Sequence, residues 1–294
     1  MMPSIRKVSL SSLFISRPKP QYFGNPSNPI KGSDEIKSWS DDNWLRSRFH
    51  FQFAESDDSI PSNFGVIRVL NDDLVQPKRG FGTHPHRDME IATIILSGEL
   101  AHKDSMGTNE TLSRGSVQYM SAGYGINHSE FNLHPTSPLR FLQIWIVPNK
   151  KGLTPNYGSY LGDNKEAIDL RKNKWHHLVT GIKSDNISSC SSSASDTPIS
   201  LHQDVNIHIA EVEQGKEVDF IVLKRRQVYY VQAEGKSILS NDKISIELNE
   251  GDAAEIYGPV HFKVKLIENE KPSIIIAIEM ALSSDTRFTI DDFE

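Results

Sequence analysis

The sequence predicts an all-β protein built from two similar units, and three observations carry that reading. Short runs rich in Val, Ile, Phe and Tyr recur along the 294 residues, mostly separated by Gly, Asn, Asp or Pro. No window sustains an amphipathic helical period for three turns. A glycine-marked pattern also occurs twice: Ile94-Ile-Leu-Ser-Gly98 is followed 17 residues later by Gly115, and Val231-Gln-Ala-Glu-Gly235 is followed 16 residues later by Gly251. Sandwiches or barrels are the architectures that short, evenly spaced strands of this kind form.

Taken in order, the chain opens with an expected strand over Arg6–Phe14 and a Pro-rich loop, then strands at Phe64–Leu70, Ile91–Leu96, Ser116–Met120 and Arg140–Val147. A second set runs Val205–Val212, Val228–Gln232, Ile244–Leu248, Phe262–Ile267 and Ile274–Met280. Val205-Asn-Ile-His-Ile209 and Ile244-Ser-Ile-Glu-Leu248 alternate cleanly, so each presents one apolar and one wet face. Short helices are expected near Asp34–Trp39 and Asn164–Asp169. Between Lys150 and Ile199 the strand pattern lapses, and the serine-rich Ser188–Ser195 around Cys190 reads as a flexible surface insertion. Cys190 has no basic neighbour to lower its thiol pKa and receives no chemical role.

Composition excludes several classes. Apolar residues at 37% and charged residues at 24% describe a globular chain rather than a disordered one. The net charge of −6 comes with no basic block, which argues against direct nucleic-acid binding. No stretch approaches 18 uninterrupted apolar residues, so no membrane span is expected. One cysteine cannot form an intramolecular disulfide and suits a reducing compartment, the cytoplasm, with the nucleus added if the source is eukaryotic. The residues before Asp34, the first acid, carry Arg6, Lys7, Arg17, Lys19 and Lys31 among serines, a composition shared with organelle transit peptides; a plain first strand and loop is the competing reading.

Chemistry concentrates in Gly80-Phe-Gly-Thr-His84-Pro-His86-Arg-Asp-Met-Glu90. In an extended chain the side-chain period is two, which sends His84, His86 and Glu90 to one side. Downstream, Gly123-Tyr-Gly-Ile-Asn-His128-Ser-Glu130-Phe-Asn132 repeats the i, i+2 spacing after a glycine-rich turn. If the two segments are neighbouring strands, two or three imidazoles meet a carboxylate, the ligand set of non-haem Fe(II) sites that Mn, Ni, Cu or Zn also occupy. Spacing alone leaves Glu90 and Glu130 as rival carboxylates. One His-x-His among 11 histidines says little; two such motifs, one before an apolar strand and one after a glycine turn, carry the metal reading. His102 lies two residues before Asp104, within reach of the same place, whereas His50, His134, His202 and His208 have no second donor at ligand spacing. His176 and His177 read as surface residues.

These segments, with Asp104-Ser-Met-Gly107 and Met120-Ser-Ala-Gly123, resemble the paired cupin motifs of the pirin family. Phe64–Asp73, Gln143-Ile-Trp-Ile146, Gly152–Tyr157 and Leu201–Asp204 resemble the bacterial pirin-like branch, some of whose members show quercetin 2,3-dioxygenase activity. Ser121 stands where common cupins have proline, and the gap from Gly123 to His128 is longer than theirs; both features match pirins. The resemblance, over about residues 44–281, implies two tandem cupin (jelly-roll) β-barrel domains. The expected division is a leader and first strand over 1–43, a metal-binding cupin over 44–148, a connection with the Ser-rich insertion over 149–200, and a degenerate cupin without metal over 201–294.

By position in the pirin pattern, the implied metal ligands are His84, His86, His128 and Glu130, with Fe(II) as the metal and Mn, Ni, Cu, Co or Zn as alternatives; Glu90 and His102 then support the ligands from behind. In the second half, the 14-residue count that leads from Gly98 back to His84 leads from Gly235 back to Ile221, with Leu223 in place of His86 and His261 near the third position as a rim residue. The resemblance implies a small aromatic or enol substrate opened with O2 at a mononuclear iron, with Glu130 as the base that takes the substrate proton and Glu90 as its rival. Val66, Ile94, Met120, Phe141 and Trp145 would supply apolar walls and serve equally as core. The competing implication is a non-enzymatic, redox-responsive transcriptional co-regulator that binds a protein partner. Two fused cupins already supply the pairing single cupins obtain by dimerising, so a monomer is expected.

Overall fold

The computed structural model describes residues 5–25, 43–56, 58–181 and 199–282. The expected Asp34–Trp39 helix and the Ser188–Ser195 segment with Cys190 lie outside the described residues. The chain divides into two compact units, both of β-barrel type.

Strand β1 (Ile5–Val8) belongs to the second unit. The first unit takes residues 13–63 and 67–163 and holds β2 (Phe14–Ser16), β3 (Leu45–Phe49), β4 (Ile67–Val75), β5 (Gly80–His86), β6 (Glu90–Ser97), β7 (Leu100–Asp104), β8 (Asn109–Leu112), β9 (Val117–Ser121), β10 (Ile126–Phe131), β11 (Leu139–Ile146) and β12 (Asn156–Tyr160). They form a seven-stranded sheet, β12-β9-β6-β11-β4-β3-β2, and a four-stranded sheet, β5-β10-β7-β8. Leu45, Val75, Ile95, Leu139 and Phe141 of the first sheet meet Leu100 and Leu112 of the second in one buried cluster, the jelly-roll arrangement of two sheets over a shared core.

The second unit adds α1 (Lys165–Arg171), β13 (His176–Thr180), β14 (Ile199–Ser200), β15 (Val205–Val212), β16 (Glu217–Val222), β17 (Arg226–Val231), β18 (Lys236–Ser240), β19 (Ser245–Leu248), β20 (Ala253–Tyr257), β21 (Val260–Glu268) and β22 (Ser273–Ala281). Its sheets run β1-β20-β17-β22-β15-β13-β14 and β16-β21-β18-β19. Val218, Phe220, Val222, Phe262, Val264 and Leu266 from the small sheet pack on Val228, Tyr230, Ala254 and Ile275 from the large one. The repeat seen in the sequence is therefore structural: Gly98 and Gly235 each turn the chain from a large-sheet strand into a small-sheet strand at positive φ, +78° and +68°. A Cβ on Gly98 would stand 2.5 Å from the Pro138 carbonyl oxygen, so only glycine fits.

Several elements fall differently from the reading of the sequence. Arg6–Phe14 is two strands with a tight 3-10 turn at Leu10–Ser12 between them, and β1 pairs β20, with Ile5 opposite Ile256. Phe64–Val66 belongs to the second unit, where Phe64 lies against Tyr229, and β4 begins at Ile67 and runs through the polar Asn71-Asp-Asp73. The unit boundary at Asp163 shares out the span 149–200: β12 closes an edge of the first large sheet, while α1 and β13 belong to the second unit. β12 shows no apolar alternation because it is a half-exposed edge strand. The helix near Asn164 forms as expected, with Asn164 Oδ1 accepting from the Ala167 amide at 2.9 Å as its N-cap. His176 and His177 are buried in β13 rather than exposed. Among the described residues no helix is long and apolar enough to cross a membrane.

Candidate metal centre

Strands β5 and β10 are neighbours, and their antiparallel register sets His84 opposite His128 and His86 opposite Ile126. Because the period is two, His84 and His86 point to the same side of β5. Ring nitrogens of His84, His86 and His128 all lie within 4.8 Å of one another. A bulge between His128 and Glu130 shifts the register, and on its other side β10 pairs β7 with Glu130 opposite His102. His102, His128 and Glu130 accordingly form a second group of donors within 4.8 Å that shares His128 with the first.

Hydrogen bonds orient these side chains. His84 Nδ1 donates to the Gly82 carbonyl at 2.7 Å, which orients the ring and turns Nε2 toward His128. That Nε2 is 3.0 Å from His128 Nε2. Two lone pairs repel at this distance unless a proton or a cation lies between them, and about 3.0 Å is also the separation of two nitrogens at right angles, each about 2.1 Å from one ion. Burial, and then crowding by His128 and His84, pushes His86 down to about 3. Burial, then His84 and His102, does the same to His128. Both imidazoles are neutral near pH 7, as metal ligation requires. Nδ1 of His102 and of His128 are buried without hydrogen-bond partners among the described residues. The donor set fits a transition-metal ion.

Glu130 is 2% exposed and its carboxylate is held at both oxygens. Gln118 Nε2 donates to Oε1 and Gln143 Nε2 donates to Oε2 at 2.8 Å, while Thr93 Oγ1 stands 3.5 Å from Oε1. His102 is fully buried, stacks on Tyr157 with centroids 4.6 Å apart, and places Nε2 3.2 Å from Asp104 Oδ2. Against the upward push of burial, hydrogen bonds from Thr108, His102 and Met106 keep the Asp104 carboxyl below its ordinary value.

Glu90 does not join the group. The corner between β5 and β6 carries Asp88 at φ +50°, which resets the alternation, so Glu90 projects from the face of β6 opposite Thr93. There it accepts from the Tyr119 hydroxyl at 2.6 Å. Ile94 shares that outer face, and Val66 belongs to the other unit; of the expected walls, Met120, Phe141 and Trp145 lie on the inner side. The reading of the sequence missed Gln118, Gln143 and Thr93. Their signal was a single polar residue at an inward position of an otherwise apolar strand, as in Val117-Gln-Tyr-Met120 and Phe141-Leu-Gln-Ile-Trp145.

A cavity of about 670 Å³, measured with its open mouth, adjoins His84 and His86. Phe49, Phe53, Phe81 and Trp145 supply its aromatic walls. Trp145 meets the His86 ring edge to face at 4.8 Å and the Phe53 ring at 5.1 Å.

In the second unit the small-sheet strands β16 and β21 pair Phe220 with Phe262 and Val222 with Val260. Ile221 is 39% exposed, so the residues that face the interior are Phe220 and Val222, one position away from the Ile221 and Leu223 that counting from Gly235 picks out. The stretch from Val222 to Gly235 is one residue longer than that from His86 to Gly98, and one residue flips every side chain to the other face. His261 is exposed, 3.1 Å from Asp219.

Comparison with known proteins gives concordant matches. A family model described as Pirin matches residues 32–146, and one described as the quercetinase C-terminal cupin domain matches residues 189–280. A quercetin 2,3-dioxygenase of Escherichia coli K12 is 35% identical over 202 residues, covering 69% of this chain and 80% of that protein. A pirin-like protein of Caulobacter vibrioides is 33% identical over 238 residues, covering 81% and 94%. Among solved structures, YhhW from Escherichia coli superposes with a TM-score of 0.73 at 25% identity, over 96% of this chain and all of that one. A second YhhW structure, described as a bacterial pirin in complex with nickel(II), gives 0.71 at 25% identity, over 95% and 100%.

Proposed function

The chain belongs to the pirin family, and from that premise we propose that it is a metal-dependent dioxygenase that opens an enolic aromatic small molecule, of which a flavonol is the type, with O2. One observation carries the reading: three imidazoles converge beside a carboxylate gripped by two amides, at the wall of an aromatic cavity. We assign His84, His86, His128 and Glu130 as ligands and Fe(II) as the metal, with Mn, Co, Ni, Cu and Zn as alternatives that metal analysis separates. Glu90 stands outside the ligand set, and His102 supports His128 and Glu130 from β7.

When bound, a redox-active metal supplies the electron exchange that lets triplet O2 react with a closed-shell organic molecule. The chain's own residues do the rest. Trp145 and Phe53 present flat apolar faces that take a planar ring and exclude water. Glu130 is the base that accepts the proton of the substrate's enolic hydroxyl. Gln118 and Gln143 are neutral donors, so they hold the carboxylate in place without neutralising it. Because both are fixed on sheet strands, the acceptor is preorganised before substrate arrives.

The test is metal analysis of protein purified without chelator or metal-affinity resin, followed by oxygen uptake with a panel of flavonols. About one metal per chain and flavonol-dependent oxygen consumption are expected. Fully loaded protein that consumes no oxygen with any flavonol or related enol would leave the redox-responsive binding protein as the better account.

A further inference from the structure

A polar strip crosses the aromatic wall of the cavity and takes no part in holding the histidines or Glu130. On β4, Asn71 and Asp73 alternate onto the inward face, about 7 Å apart. On β3, Ser47 lies opposite Asp73 and Phe49 opposite Asn71. Ser47, Asn71 and Asp73 all line the cavity that His84 and His86 line, and each is more than nine-tenths buried. Ser47 Oγ donates to Asp73 Oδ1. Asn71 Oδ1 is buried and has no hydrogen-bond partner among the described residues. A buried amide oxygen is stable there only if something in the cavity donates to it.

We propose that Asn71, flanked by the Ser47–Asp73 pair, is a hydroxyl-recognition strip, so the substrate is a planar enol that carries a second ring hydroxyl, and this hydroxyl donates to Asn71 Oδ1. The inference rests on the dioxygenase reading and narrows its substrate class. Asp73 suits the role: burial above all, with Asp72 and Glu130 nearby, raises its carboxyl to about 8 against the pull of the Ser47 hydroxyl. It is protonated near pH 7, can donate as well as accept, and sets no negative charge beside a phenol. A site built around such groups discriminates against an analogue lacking the hydroxyl, because the analogue leaves the buried amide unpaired.

Two probes separate the outcomes: 3-hydroxyflavone, which has only the enolic hydroxyl, and quercetin, which adds hydroxyls at the ring periphery. Metal-loaded wild type and Asn71→Leu are titrated with each by calorimetry without oxygen, and oxygen uptake is measured separately. Wild type should bind quercetin about tenfold more tightly than 3-hydroxyflavone. Asn71→Leu should bring the two within about threefold by weakening quercetin alone. Equal affinities in wild type, or a preference that survives in Asn71→Leu, would overturn the strip. Oxygen uptake absent with both probes overturns the dioxygenase reading, while the anaerobic affinities still decide the strip. Should circular dichroism show Asn71→Leu unfolded, Ser47→Ala takes its place, with an expected drop in preference of about threefold and an unchanged preference as the overturning result.

Discussion

Each unit pairs a four-stranded sheet with a seven-stranded one, and between the edge strand of its small sheet and the next strand the first sets His84 against His128 while the second sets Phe220 against Phe262. The phenylalanine rings lie nearly parallel with centroids 5.6 Å apart and fill the interior through dispersion contacts that need nothing further. The histidine rings turn their Nε2 atoms toward each other, 3.0 Å apart, and are backed by Glu130, Gln118 and Gln143. One strand order thus accommodates a closed apolar interior and an open polar one. The fold does not require the histidines, and their presence in the first barrel is a matter of chemistry rather than architecture.

The strongest way to break this contrast is to truncate equivalent residues. Phe220→Ala removes a fully buried ring and should destabilise the second unit by about 3–5 kcal/mol. His84→Ala should leave the stability of the metal-free first unit within about 1 kcal/mol of wild type, because half-exposed polar side chains contribute little packing. It should nevertheless abolish metal retention, as should His128→Ala. Thermal denaturation and metal content on the same samples read both effects. A His84→Ala protein that unfolds outright would make the site structural, and one that keeps its metal would remove His84 from the ligand set.

Acid sharpens the comparison. In the second unit His176 is lowered to about 4, and His208 well below its ordinary value, in both cases chiefly by burial. In the first, burial chiefly lowers His50 to about 4 and His86 and His128 to about 3. The unfolded chain takes up these protons near pH 6.5, so below that pH it binds more protons than the fold does. Stability is fully present above about 6.5 and falls with pH, by about 1.4 kcal/mol per unit for each such histidine until its folded value is reached. Both units should weaken between pH 6.5 and 5 without metal. Added metal should protect the first alone, since only neutral His86 and His128 can bind it. Hydrogen exchange resolved by peptide reads the two units separately, and equal protection of both by metal would contradict the contrast.

How much of this the sequence disclosed depends on whether a feature is local. His84-Pro-His86 and His128-Ser-Glu130 were legible because two residues of extended chain fix which side chains share a face. The misplacement of Glu90 and that of Ile221 both come from carrying that period across a junction. Glu90 was counted past the corner at Asp88, and Ile221 was counted back from Gly235 through a connection one residue longer than its counterpart. Gln118 and Gln143 show along the chain only as single polar residues in apolar strands; that they meet Glu130, and that Ser47, Asn71 and Asp73 form a strip, follows from the pairing of strands distant in sequence.

The Glu90 error also defines the finest test, since the two buried glutamates, Glu90 on β6 of the large sheet and Glu130 on β10 of the small one, differ in what they face. Glu130→Gln keeps the side-chain shape but removes the charge and the proton acceptor. Its new amide nitrogen would also face Gln118 or Gln143, which are donors themselves. Metal affinity should fall about tenfold, and flavonol turnover per bound metal should fall by a further factor of about ten, because general-base assistance is lost as well as a ligand. Glu90→Gln retains an acceptor oxygen for the Tyr119 hydroxyl, so metal affinity and turnover should both stay within about threefold of wild type. Isothermal titration with the metal and oxygen-uptake rates normalised to bound metal separate the two contributions. If the order reverses, with Glu90→Gln losing metal and Glu130→Gln retaining it, the corner at Asp88 must rearrange on loading and the carboxylate assignment passes to Glu90.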